Sequence, residues 1–196
     1  MLIGLGVIGA VLLVFIISII SIYNSIIRLS NGYKNSFSQI DVQLQRRFEL
    51  IPNLVETAKK YMSHEKETLE AVINARNNAM KSTSSLSRDP SDVSSIKEFN
   101  QAEGVLNQSM GKFMALFENY PDLKASTTMN SLMEELTSTE NKVAFARQSY
   151  NDHIMHYNNG IQEFPNNIIA GIFNFNHVPQ LEIENVEMRK AVKVEF

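Results

Sequence analysis

The chain has 196 residues, a formal net charge of −3, and neither cysteine nor tryptophan. A disulfide framework and a cysteine-based metal site are excluded, and so small a charge gives no electrostatic footprint for nucleic acid. With only 8 glycines and 5 prolines, the composition also argues against a loop-rich or all-β fold.

Residues 2–22, LIGLGVIGAVLLVFIISIISI, carry no charged side chain. At ~1.5 Å per residue the run spans ~30 Å of helix, the thickness of a bilayer core. No Lys or Arg precedes it, it is longer than a signal-peptide apolar region, and no small-x-small site follows. It therefore reads as an uncleaved membrane anchor. Arg28 and Lys34 follow it, with Arg46 and Arg47 further on, whereas the N-terminal flank has no basic residue. The positive-inside rule then places the N-terminus outside and the following residues in the cytoplasm.

Beyond the anchor, apolar or small residues recur at positions 33, 37, 40 and 44, then at 51, 54, 58 and 61. Alternating steps of three and four form one helical stripe. Ser63 is a candidate N-cap for a second helix with Glu65 and Glu67 in its first turn. Leu69, Val72, Ile73 and Met80 continue a stripe there. Whether residues 61–64 interrupt one very long helix stays open. Residues 81–92, KSTSSLSRDPSD, read as a loop, with Asp89 as N-cap and Pro90 as first helical residue of the next element. The third stripe runs Val93, Ile96, Phe99, Leu106, Met110, Phe113, Phe117 and Tyr120. A short connection, 119–126, leads to a heptad seam of Met129, Leu132, Leu136, Thr139, Val143, Ala146, Tyr150, Ile154, Tyr157, Ile161 and Phe164, with one stutter near Tyr150. After Pro165 the pattern changes to a short helix and then an alternating, extended tail.

Few residues suggest chemistry. His64-Glu65 resembles the start of a zinc-protease helix, but residue 68 is Thr, so the second ligand is missing. His153 and His156 lie one turn apart beside Asp152, a pattern more common on a solvated face than at a metal. No nucleophile elbow, P-loop or dinucleotide fingerprint occurs. Catalytic residues, metal ligands and cofactors are accordingly expected to be none. Arg46 and Arg47 are less ordinary. Stepping from Leu44 to Ile51 by three and four puts Arg47 on the seam, where it needs a partner or water. Glu140 of the last helix is the first candidate, Glu134 the second. Pro52 lacks an N–H and clashes with the carbonyl four residues back. It should kink the helix there and free that carbonyl for an arginine or water.

These residues carry a resemblance. YNSIIRLSNGYKNSFSQIDVQLQRRFELIPNLVETAKKYMSHEKETLEAVINAR (23–76) and YPDLKASTTMNSLMEELTSTENKVAFARQSYNDHIMHYNNGIQEFP (120–165) closely resemble the bacterial LemA family, in order and over nearly the whole chain. QIDVQLQRR, LIPNLV, TEN and the YN…YN…FP series make the resemblance specific. Phe37 stands where Trp is usual and Lys60 where Gly is usual. The resemblance implies a membrane-anchored antiparallel helical bundle with no established enzymatic activity. It also implies a gene often found near a membrane zinc protease of the heat-shock type, which hints at envelope quality control.

Residues and resemblance together predict an all-α fold: an N-terminal transmembrane helix, then an antiparallel up-and-down bundle of three or four long helices, and a short extended C-terminal tail. The expected division is 1–23 as anchor, 24–165 as LemA-like bundle and 166–196 as short helix and tail. The expected function is a non-enzymatic scaffold or adaptor of the bacterial cell envelope. It would be held by lipid through residues 2–22 and self-associate, with segment 166–196 packing on a neighbouring copy. The alternative is an accessory subunit of a membrane zinc protease. The structural and interaction candidates are Arg46, Arg47, Pro52, Asn53, Glu140, Asn141, Tyr150 and Tyr157.

Overall fold

The long apolar run does not stop where the charges begin. In the computed structural model, which describes residues 2–181, α1 is one uninterrupted helix, Leu2–Lys59. Then follow α2 (Lys66–Arg88), α3 (Val93–Phe117), the single turn α4 (Pro121–Lys124), α5 (Thr127–Gln162) and the short α6 (Asn166–Ile172). No strand occurs among the described residues. From Ile3 to Ile20 the large side chains other than Ile19 are exposed, and the helix there is long and apolar enough to cross a membrane, with a mean hydropathy of 3.0 over 18 residues. Burial begins at Ile26 and recurs at Tyr33, Phe37, Ile40, Leu44, Phe48, Ile51, Leu54 and Ala58. These are heptad steps, and they face the seam of α5.

The four long helices alternate in direction. Arg46 of α1 meets Glu135 of α5, Tyr33 stacks edge-on against Tyr157, and Gly32 lies against His153, so the pair is antiparallel. Near its end α5 comes close to α1. A Cβ on Gly160 would stand 2.5 Å from Leu29 Cδ1, so only glycine allows this approach without displacing Leu29. Helices α2 and α3 form a hairpin on the upper part of α1 and cover only that part. Below the hairpin loop, α1 and α5 continue as a two-helix stem, wrapped by α6 and the chain after it. The result is an all-α, antiparallel up-and-down bundle, as its stripes dictate.

Two local expectations are corrected. The chain breaks at residues 60–65, but Ser63 does not cap α2. Glu65 is the N-cap and makes no side-chain cap bond. Here burial outweighs capping: Met62 is fully buried at the end of the bundle, and Tyr61, read as a stripe residue, turns outward. Second, residues 81–88 are helical rather than loop. The hydroxyls of Thr83, Ser84, Ser85 and Ser87 donate to carbonyls four residues back, and that of Ser82 to one three back. Leu86 is fully buried. With its hydroxyls satisfied on the helix itself, the Ser/Thr run gains nothing by leaving it. Helix α3 consequently starts late. Asp92, not Asp89, is its N-cap, accepting from Ser95 N at 2.8 Å.

The described part of the C-terminal segment folds back on its own chain. Ile169 and Ala170 of α6 are buried against α1 and α5, and Val178 and Leu181 are buried after it. The remaining alternating positions, Ile183, Val186, Val192, Val194 and Phe196, lie outside the described residues.

Candidate functional site

The bundle core holds three charges. Arg47 of α1 pairs with Glu103 of α3, and Arg147 of α5 reaches the other oxygen of the same carboxylate at 3.5 Å. Arg47 and Glu103 are 5% and 4% exposed. Each guanidinium also lies against an aromatic face, Arg47 5.6 Å from the Phe48 ring centre and Arg147 6.0 Å from that of Phe99. Both Nε atoms are buried without a partner among the described residues. Burial pushes the Arg147 guanidinium below its ordinary value, Glu103 pulls it back up, and Arg47 pushes it further down.

Glu140, the partner expected for Arg47, makes no ion pair with it. Desolvation pushes its carboxyl up, opposed by the attraction of Arg47. It stands at the rim of the cluster, not in it. The signal for Glu103 was present. Phe99, Glu103 and Leu106 are spaced by four and three, so Glu103 occupies the α3 seam as Arg47 occupies that of α1. A charge on each of two facing seams is the pattern of a buried pair.

Proline 52 has a partner of another kind. The carbonyl it leaves without an intrahelical donor is that of Phe48, and Arg76 Nε of α2 donates to it at 2.8 Å. An arginine thus repairs the α1 ladder where it is broken. It comes from the next helix instead of the Arg46-Arg47 pair. Arg46 itself is exposed and pairs with Glu135. Asn53 and Asn141 are exposed.

Tyr150 and Tyr157 are buried. The Tyr150 hydroxyl donates to Pro90 O at 2.7 Å, tying the α2–α3 loop to α5, and that of Tyr157 donates to Asn176 O at 3.1 Å. The asparagine after each tyrosine was missed by sequence reasoning. Asn158 donates to Val178 O at 2.8 Å and accepts from Val178 N at 3.0 Å. Asn151 donates to Leu181 O at 3.0 Å and accepts from Leu181 N at 2.9 Å. Seven helical residues advance ~10.5 Å and three extended residues ~10 Å, so the two asparagines clamp the returning chain in step. The repeated Tyr-Asn at heptad spacing is the feature that could have revealed them.

The histidines are not assembled with other ligands. His153 and His156 are exposed, and His153 Nδ1 lies 2.8 Å from Ser149 O. Among the described residues no three His, Asp or Glu side chains converge as a metal site. A polar cleft between Lys34, Ser38, Asp41, Arg88, Asp89 and Ser91 opens beside the α2–α3 loop, and nothing in it is arranged as a nucleophile with its base.

Fold and site thus define a helical-bundle protein with an internal arginine–glutamate cluster and an apolar helix of membrane-spanning length. The LemA family profile matches residues 36–196, and the chain belongs to that family. It is similar to magnetosome protein MamQ 2 of Paramagnetospirillum magneticum, with 23% identity covering 88% of this chain and 71% of that protein. Similarity to magnetosome protein MamQ of Magnetospirillum gryphiswaldense is 25% identity over 85% of this chain and 67% of that protein. Protein LemA of Metamycoplasma hominis is 24% identical over 85% of this chain and 75% of its own length. These names and the apolar helix are consistent with a membrane-localised protein and name no reaction.

Proposed function

We propose that this chain is a non-enzymatic, membrane-anchored scaffold or adaptor of the bacterial cell envelope that associates with copies of itself. The observation that carries the reading is α1, a single helix joining an apolar stretch of membrane-spanning length to a bundle whose core is filled by apolar side chains and an internally paired charge cluster. Such a body presents surfaces rather than a reaction centre. Relatives named for a cellular structure instead of a reaction support the same reading. A contact surface is available between α1 and α5. Phe145 is 73% exposed beside a groove formed by Gln39, Gln43, Lys142 and Ser149 of α1 and α5. In this proposal the N-terminus lies outside and the bundle in the cytoplasm, following Arg28 and Lys34.

Sizing of the full chain in mild detergent, after crosslinking in cells, tests the reading. A homo-oligomer that Phe145→Glu dissociates supports it. A stoichiometric complex with a membrane zinc protease would support the accessory-subunit alternative, and a monomer with no crosslinked partner would sink both.

A further inference from the structure

The foot of the stem carries an apolar surface that the bundle leaves uncovered. Helix α6 buries Ile169 and Ala170 and turns the rest outward: Ile168 is 54% exposed and Ile172 65%, with Phe173 at 49% and Phe164 at 81% beside them. Residues 164–176 contain no charged side chain. A charge-free surface segment with four large exposed apolar residues is not built to face water.

Its position says what covers it. The Phe173 ring lies 4.7 Å from that of Tyr23 and the Phe175 ring 5.7 Å from it. Tyr23 is the residue immediately after the charge-free run 2–22. The patch therefore continues, at the same height, the exposed apolar surface of the spanning part of α1. Arg28 stands ~7.5 Å further along the axis, at the depth where headgroup phosphates would lie. A tyrosine and a phenylalanine at the end of a span match the aromatic belt of membrane interfaces. A soluble partner would have to displace headgroups to reach this patch, whereas acyl chains are already beside it.

We propose that Phe164, Ile168, Ile172 and Phe173 form an interfacial collar that enters the boundary between headgroups and acyl chains, making a second lipid contact beside the span. Short apolar elements of this kind settle about 5–10 Å into that boundary. The proposal rests on residues 2–22 spanning the membrane, and its test separates the two.

The chain has no tryptophan, so one introduced indole is an unambiguous probe. The full chain is reconstituted into phosphatidylcholine vesicles whose acyl chains are brominated, in one set near the headgroup to read the collar and in another near the chain ends to read the span. Ile172→Trp reports on the collar, Phe15→Trp on the span, and Val105→Trp, exposed on α3, on solvent. Phe173→Trp is a second collar probe should Ile172→Trp fold poorly. Emission from the collar tryptophan should be blue-shifted and quenched several-fold more than that of Val105→Trp. Quenching of Phe15→Trp with none at the collar overturns the collar and leaves the span. A blue-shifted but unquenched collar means that protein covers the patch, which also overturns it. If Phe15→Trp is itself unquenched, both readings fall.

Discussion

Replacing Glu103 by glutamine removes the one carboxylate that serves two buried guanidiniums and leaves the shape of the site almost unchanged. At 3.5 Å and an effective dielectric of about 20, a single Arg–Glu attraction is about 5 kcal/mol. In the intact cluster the desolvation of three ions offsets most of this attraction. In Glu103→Gln the attraction goes and the desolvation of Arg47 and Arg147 stays, with like charges now facing each other. The expected loss is about 3–5 kcal/mol, the range for a buried pair deprived of one member. For a chain of this size it corresponds to a fall in Tm of about 6–20 °C. Thermal unfolding of the full chain in detergent, followed by circular dichroism, reads the shift directly. The triple replacement Arg47→Met, Glu103→Leu, Arg147→Met should recover most of it, because no charge is left stranded. A Glu103→Gln protein that melts with its parent would refute the reasoning, since the guanidiniums would then be solvated in solution.

The repaired break at Pro52 makes a conditional prediction. Arg76→Met strands the Phe48 carbonyl and should cost about 1–3 kcal/mol in denaturant titration, but far less in a Pro52→Ala background, where the restored N–H takes over. Equal losses in both backgrounds would show that Arg76 acts elsewhere. Asn158→Ala removes both bonds to Val178 and should expose residues 173–181 to limited proteolysis several-fold faster, with α5 itself intact; an unchanged cleavage rate would mean that burial of Val178 and Leu181 suffices. Burial raises Tyr157 to about 12 from an ordinary 10.0, and Tyr150 further still. A raised phenol pKa favours the neutral folded state, so this contribution is complete below pH 10 and is lost as pH rises through the folded values. The tyrosinate absorbance contributed by Tyr150 and Tyr157 should accordingly appear together with unfolding above pH 10; its appearance near pH 10 with the helices retained would contradict it.

Periodicity made most of the fold legible. The seams of α1, α3 and α5 are heptad series of large apolar residues, and tyrosines 150 and 157 sit on them as spacing requires. What escaped was polar. Serines 82–87 look like a loop until their hydroxyls are seen to bond back along the helix, a compensation that composition does not reveal. Glu103 was passed over because a carboxylate reads as solvent-facing even on a seam, although Arg47 in the same situation had already called for a buried partner. Asn151 and Asn158 have backbone as their partner, which carries no sequence signal, so only their repeat after Tyr150 and Tyr157 at heptad spacing marked them.

The continuity of α1 makes the molecule a lever. Between Tyr23 and Lys59 no turn, loop or glycine pair interrupts the helix, and the proline within it is braced by Arg76. That arm is ~55 Å long. Transmembrane helices take tilts between about 0° and 40° according to bilayer thickness and neighbours, and a change of about 10° would sweep the far end of this arm sideways by ~10 Å. With residues 2–22 across the bilayer, as proposed, local thinning or crowding of the lipid would be converted, without any hinge, into displacement of the bundle tip.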